Sequence, residues 1–189
     1  IIFASNVSEL RALNHFKLTN PVVFILHGDY SFYYNTAIEF KGIINKYICV
    51  SRNIYNYLAK ILPERINDIM LSYYILSDKE RTHLFNSRTA LRIGYVGRDT
   101  IDKGFFDLFK INNKLKENRI MVNWNLFIPK ISKENKDKVT GEQNFLLHEN
   151  LYGDTMLDKL VENDLIILPS RYEGLPLSII EAMQMGIIP

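Results

Sequence analysis

The sequence predicts an α/β protein built on parallel sheets with helices on both faces. Three observations carry this reading. Continuous apolar runs such as Pro21-Val22-Val23-Phe24-Ile25-Leu26 and Leu165-Ile166-Ile167-Leu168 alternate with longer helical patterns along almost the whole chain, as repeated strand–helix–strand units require. Several runs end on a glycine-containing turn that leads into a helix, the place where open parallel sheets bind ligands. The composition, 47% hydrophobic and 23% charged in 189 residues, is that of a chain with a packed core and not of a disordered one.

The elements follow in order. Asn6, with Glu9 three residues later, is a capping-box signature for a helix over Val7–Phe16. Pro21–Leu26 is a strand of the kind buried on both faces, ending at His27-Gly28. Residues 30–44 read as loop and helix, 47–50 as a short strand, and Ser51 as the cap of a helix over Arg52–Ile61. A third strand is expected over 66–71. Residues 77–90 are polar and weakly patterned, a candidate linker. The alternation then restarts: strand 91–96, helix 104–115, strand 122–127, a charged helix or loop 132–138, strand 145–147, helix 155–161, strand 165–168 and helix 177–185.

Charge and end composition exclude several classes of function. A net charge of +2 lacks the basic surplus of a nucleic-acid binder. No apolar run approaches the ~20 residues of a membrane helix, and the residues that open this sequence do not read as a signal peptide. The single cysteine, Cys49, forms no internal disulfide, which fits a reducing compartment. The chain opens on Ile1 and stops at Pro189 just after a new apolar start, so it reads as a piece of a longer protein.

Two segments carry chemistry. In the first, strand 165–168 leads through Pro169-Ser170-Arg171-Tyr172-Glu173-Gly174-Leu175-Pro176 into a helix that contains Glu181. Gly174 lets backbone approach a ligand closely, and the free N–H groups at the helix start face an anion such as a diphosphate. Two carboxylates beside an anion site need partners of their own. Sugar diols supply them, because a carboxylate accepts two hydroxyls at once. The competing reading is a capping box, Ser178 with Glu181, which Pro176 weakens and which leaves Glu173 unexplained. In the second segment, strand 91–96 ends at Gly97-Arg98, and Lys103-Gly104 opens a helix. A lysine at a helix start is disfavoured by the helix dipole unless an anion sits there, and Arg98 adds a planar fork for phosphate. The competing reading pairs Arg98 with Asp99 or Asp102.

Together, Gly97-Arg98…Lys103-Gly104 and Glu173…Glu181 resemble the retaining GT-B glycosyltransferases of glycosyltransferase family 4, the glycosyl transferases group 1 type. Phe24-Ile25-Leu26-His27-Gly28, Ile48-Cys49-Val50-Ser51, His148 and Leu151-Tyr152-Gly153 are similar to further family elements. The resemblance implies two Rossmann-like lobes with parallel sheets, each incomplete in this chain: the rear of the N-terminal, acceptor-side lobe over 1–87 and most of the C-terminal, nucleotide-sugar-binding lobe over 88–189.

It also implies roles. Arg98 and Lys103 would bind the donor diphosphate beside Gly97. Backbone N–H groups of Gly174, Leu175 and Leu177 would contact the phosphate, Pro176 having none. Glu173 would hold donor-sugar hydroxyls near the reacting carbon, Glu181 the ribose hydroxyls, and His27 would approach the donor sugar. No metal is implied and no cofactor, the substrate being a UDP- or GDP-linked sugar. Two departures stand out: Phe127-Ile128-Pro129-Lys130 replaces a Gly-x-Gly, and His148-Glu149-Asn150 stands where glycine is frequent.

The expected activity is therefore transfer of a hexose from a nucleotide-diphosphate sugar to a glycan or lipid-linked glycan acceptor, in cell-surface polysaccharide synthesis. It is placed in the cytoplasm or peripherally on the inner face of the membrane, with any membrane contact made through a segment ahead of residue 1. The 189-residue chain alone is expected to transfer little or nothing. Two rival readings keep the fold: a nucleotide-sugar epimerase, and an inactive nucleotide-sugar-binding subunit. Tyr30, Phe32, Tyr33 and Tyr34 are read either as helix core or as a stacking surface for an acceptor sugar, and Trp124 as core.

Overall fold

The computed structural model describes residues 1–74, 81–84 and 89–189. The chain divides into two compact units, Ile1–Leu76 with Tyr172–Leu175, and Ser77–Arg171 with Pro176–Pro189. The candidate linker at 77–90 and the expected boundary at 87/88 fall largely on residues outside the described ones.

In the first unit β1 (Ile2–Ala4), β2 (Val22–Leu26), β3 (Lys46–Cys49) and β4 (Ile69–Leu71) form one parallel sheet in the order β1-β2-β3-β4. The register pairs Phe24 with both Ala4 and Tyr47, and Cys49 with Leu71. Helices α1 (Val7–His15), α2 (Ser31–Glu39) and α3 (Arg52–Ile61) connect the strands. The capping box forms: Glu9 N–H donates to Asn6 at 3.0 Å, and the Glu9 carboxylate accepts the Asn6 N–H at 3.1 Å. Ser51 caps α3 as expected, accepting from the Ile54 N–H at 3.4 Å.

Two expectations are corrected. Residues 63–68 form a 3₁₀ turn, so β4 starts only at Ile69; Arg65 stays in that turn, donating to the Lys41 and Ile44 carbonyls. The burial of β2 alternates, with Val22, Phe24 and Leu26 buried and Val23 and Ile25 half-buried. Strands in sequential order with right-handed crossovers receive their helices on one face, and the buried set of β2 joins Leu10, Leu13, Tyr34, Ala37, Ile54 and Leu58 in a single core.

In the second unit β5 (Leu91–Val96), β6 (Val122–Ile128), β7 (Phe145–Glu149) and β8 (Leu165–Ile166) form a parallel sheet in the order β7-β6-β5-β8. Helices α4 (Phe105–Glu117), α5 (Lys133–Thr140), α6 (Gly153–Leu160) and α7 (Leu177–Gln184) complete it. Here helices do pack on both faces. Trp124, Leu126 and Ile128 of β6 join Phe105, Leu108 and Val139 in one core, while Phe127 between them joins Leu160, Ala182 and Met185 in another. Trp124 is fully buried, and its indole N–H donates to Asn112 Oδ1 at 3.0 Å. The strand expected over 165–168 stops at Ile166, because the chain leaves the sheet to build the loop described next. Residues 81–84 dock on this unit: Arg81 pairs with Asp154 and Asp158 at 3.1 and 2.7 Å, and the His83 N–H donates to the Met185 carbonyl at 2.7 Å.

Candidate functional site

The strand order of the second unit locates the site. From β5 the chain moves outward to β6 and β7, then returns through α6 to place β8 on the other side of β5. That reversal makes the carboxyl ends of β5 and β8 a topological switch point, where the two following loops diverge and leave a crevice. Those loops are residues 97–104 and 167–176, the two segments singled out in the sequence.

The loop after β5 is held from beneath. Tyr95 reaches up from the strand and donates to the Arg98 carbonyl at 2.6 Å. A Cβ at Gly97 would lie 2.7 Å from that hydroxyl, so a side chain there would displace the strut. Gly104 has φ +70°, and a Cβ there would overlap the Pro169 carbonyl and approach its ring Cγ to 2.7 Å. The loop after β8 is thus seated on the start of α4. Arg171 locks the pair, its N–H donating to Asp102 O at 2.8 Å and its guanidinium to Ile101 O at 2.6 Å.

Of the predicted cations, Arg98 is 63% exposed and contacts Asp102 at 3.2 Å. Asp99 is engaged elsewhere, accepting from the Ser132 and Asn135 nitrogens at 3.0 and 2.9 Å. So the pairing reading of Arg98 holds for Asp102 alone, and an exposed pair of this kind is worth little and exchanges readily for a better anion. Lys103 is half-buried immediately before α4.

Helix α7 starts at Leu177 with Pro176 as its cap, and no side chain caps it. Ser178 lies inside the first turn, so the Ser178–Glu181 capping box does not form. The Ile179 and Ile180 N–H groups close on Pro176 O, and those of Leu177 and Ser178 precede the intrahelical ladder. Glu181 is half-buried, and its carboxylate has no hydrogen-bond partner among the described residues; burial raises its pKa above the ordinary 4.5. The Ser170 hydroxyl, in the segment singled out in the sequence but given no role there, is likewise buried without a partner among the described residues.

The first unit holds the other predicted residues. His27 follows β2, and burial lowers its pKa against the opposing charge of Glu9, so the ring is neutral. Its Nδ1 is hydrogen-bonded to the Tyr74 hydroxyl, and the two rings lie edge to edge, centroids 5.9 Å apart and planes 8° apart. Residues 172–175 belong to this unit. Leu175 packs on its core, and Tyr172 meets Tyr30 at 5.9 Å between ring centroids. A Cβ at Gly174 would overlap the His27 carbonyl oxygen and lie 2.9 Å from Gly28 Cα. Glycine there is what lets the Glu173-Gly174 backbone lie against His27-Gly28. Glu173 is half-buried.

Each residue of the aromatic run has its own environment. Tyr34 is core, its hydroxyl bonded to Asp29. Tyr33 is half-buried against Phe24, Phe32 is 48% exposed, and Tyr30 lies over Gly28. Cys49 is buried and its thiol is pushed up to about 12, so it carries no thiolate at neutral pH.

His148 is half-buried, stacked on Phe127 at 4.7 Å and bonded to Asn125 Oδ1 at 3.0 Å. Asn150 takes φ +55°, the left-handed conformation asparagine tolerates better than most residues. That explains how this loop dispenses with a glycine. Among the described residues no three His, Cys, Asp or Glu side chains gather to hold a metal ion, and no helix is long and apolar enough to cross a membrane.

Comparison with known proteins bears on both units. The family model described as glycosyl transferases group 1 matches residues 77–189. Among solved structures, a variant of S. aureus TarM in complex with fondaparinux, α-GlcNAc-glycerol and UDP is similar over 93% of this chain and 38% of its own, at 19% identity and a TM-score of 0.73. The apo lipopolysaccharide outer core galactosyltransferase WaaB is similar over 99% and 54%, at 16% identity and 0.66. The catalytic domain of starch synthase IV from Arabidopsis thaliana, bound to ADP and acarbose, is similar over 100% and 55%, at 13% identity and 0.65. These likenesses show the GT-B fold. The chain spans between about two fifths and just over half the length of these structures. No curated protein sequence matches.

Proposed function

The chain belongs to the family of glycosyl transferases group 1, and on that premise we propose that it forms part of a metal-independent, retaining hexosyltransferase of glycosyltransferase family 4. The donor is a UDP- or GDP-linked sugar and the acceptor a glycan or lipid-linked glycan of cell-surface polysaccharide synthesis. The protein works in the cytoplasm or peripherally at the inner face of the membrane. The observation that carries the reading is the switch point of the second unit. Two cations stand on the loop after β5, and helix α7, which starts without a side-chain cap, carries a half-buried carboxylate with no hydrogen-bond partner among the described residues.

In this reading Arg98 and Lys103 take the diphosphate, with the free N–H groups at the start of α7 adding fixed donors. Glu181 accepts two ribose hydroxyls. Glu173 holds hydroxyls of the transferred sugar, and His27 donates to another. The bond from the anomeric carbon to the diphosphate breaks with its electron pair on the phosphate oxygen, where preorganised cations stabilise the developing charge without reorganisation. The acceptor oxygen bonds to the same carbon, on the face the leaving group vacates, and its proton passes to the departing diphosphate.

The test uses the full-length protein with UDP- and GDP-sugars. Lys103→Ala and Glu173→Ala are each expected to reduce transfer at least ~100-fold, with unchanged circular dichroism. Near-normal transfer by both variants overturns the assignment. Chelator is expected to leave the rate unchanged, and donor alone to yield slow hydrolysis. Epimerised donor in that control favours the epimerase reading instead.

A further inference from the structure

Tyr74 belongs to no motif in the sequence, yet it is the residue most closely engaged with His27. Its ring lies parallel to the imidazole and its hydroxyl meets Nδ1. It follows β4, while His27 follows β2 and lies 47 positions earlier, so only the sheet brings them to the same end of the unit. We infer that Tyr74 is the positioning residue of His27, holding the imidazole as its Nε2–H tautomer so that a neutral N–H donor is presented to a sugar hydroxyl. The inference rests on the function proposed above for the choice of ligand, and on the geometry alone for the tautomer.

The direction of the bond follows from the chemistry of the two groups. A phenol is a good donor and a poor acceptor, its oxygen lone pair being drawn into the ring, whereas the imidazole sp² nitrogen is a strong acceptor. Burial raises the Tyr74 pKa, so the hydroxyl keeps its proton at neutral pH. Once Nδ1 accepts, the ring proton of a neutral histidine resides on Nε2. The hydroxyl meets Nδ1 close to the plane of the imidazole, along its lone pair, and so fixes the rotation of the ring, leaving Nε2 one direction in which to donate. A neutral donor also suits the site, since a sugar hydroxyl accepts a hydrogen bond without any charge to balance.

The experiment has two arms. In the first, side-chain ¹⁵N–¹H correlation on the labelled full-length protein, with the His27 signals assigned through His27→Gln, reads the tautomer directly. The expected result is protonation on Nε2 in the parent and a mixture of tautomers in Tyr74→Phe, which keeps the ring and loses the hydroxyl. Protonation on Nδ1 in the parent, or the same signature in Tyr74→Phe, overturns the inference. In the second arm, Tyr74→Phe is expected to lower kcat about tenfold with little change in donor KM, and to add nothing in a His27→Gln background. Additive losses overturn it. A parent with no transferase activity overturns the proposed function and leaves the first arm to decide the pairing of Tyr74 with His27.

Discussion

At the scale of single residues, Glu181 gives the sharpest expectation. Its neutral form is favoured by burial, whereas holding a ribose diol needs the carboxylate. Donor affinity should therefore fall as pH drops through a value above 4.5, measured by calorimetric titration of UDP or GDP. Glu181→Gln should flatten that dependence and weaken binding about tenfold to hundredfold, as expected for a lost charged hydrogen-bond pair of ~1.5–3 kcal/mol. The sign for stability is opposite. A carboxyl with a raised folded-state pKa favours the folded state below its unfolded pKa and loses that contribution as pH rises through the folded value, so Glu181→Gln should be at least as stable as the parent at neutral pH. Gly104 makes a second expectation. Gly104→Ala meets both a left-handed backbone, worth ~1–3 kcal/mol, and the Pro169 carbonyl. It should lower the urea midpoint of the second unit below the parent's, whereas Gly42→Ala, where a Cβ meets nothing within 4 Å, should leave the first unit's midpoint nearly in place.

At the scale of elements, local signals written in adjacent residues were the legible ones. The Asn6–Glu9 capping box and the Ser51 cap form as read, because a cap needs only residues three positions apart. Ser51→Ala should cost about 1 kcal/mol, seen in chemical denaturation of the first unit. Where tertiary contacts compete, the local reading fails. The apolar run at 165–168 has the composition of a strand throughout, yet only Leu165 and Ile166 pair with β5; beyond them the backbone is drawn over Gly104. The three-residue β1 was too short to stand out in the sequence. The strand expected from residue 66 starts only at Ile69, because Arg65 contacts from 20 or more positions away hold residues 63–68 in the 3₁₀ turn.

At the scale of the whole molecule, each unit has its own apolar core. Trp124, the single tryptophan, lies wholly within the second. Tryptophan fluorescence should therefore report unfolding of that unit alone, while far-ultraviolet circular dichroism reports both. Non-coincident urea transitions are expected, and Trp124→Phe should shift the second unit's transition while leaving the first in place; coincident curves for every probe would show a single cooperative unit.

By itself the sequence determined the alternation of strands and helices, the caps, and the two glycine-bearing turns with their cations and carboxylates. All of these are set by periodicity and by neighbours a few positions apart. Only the tertiary structure decided that β8 returns beside β5 and so makes those turns adjacent, that Glu181 is half-buried with no hydrogen-bond partner among the described residues while Asp99 is spent on α5, and that Tyr74 meets His27. These depend on strand order and on contacts between residues dozens of positions apart, and no local pattern encodes them.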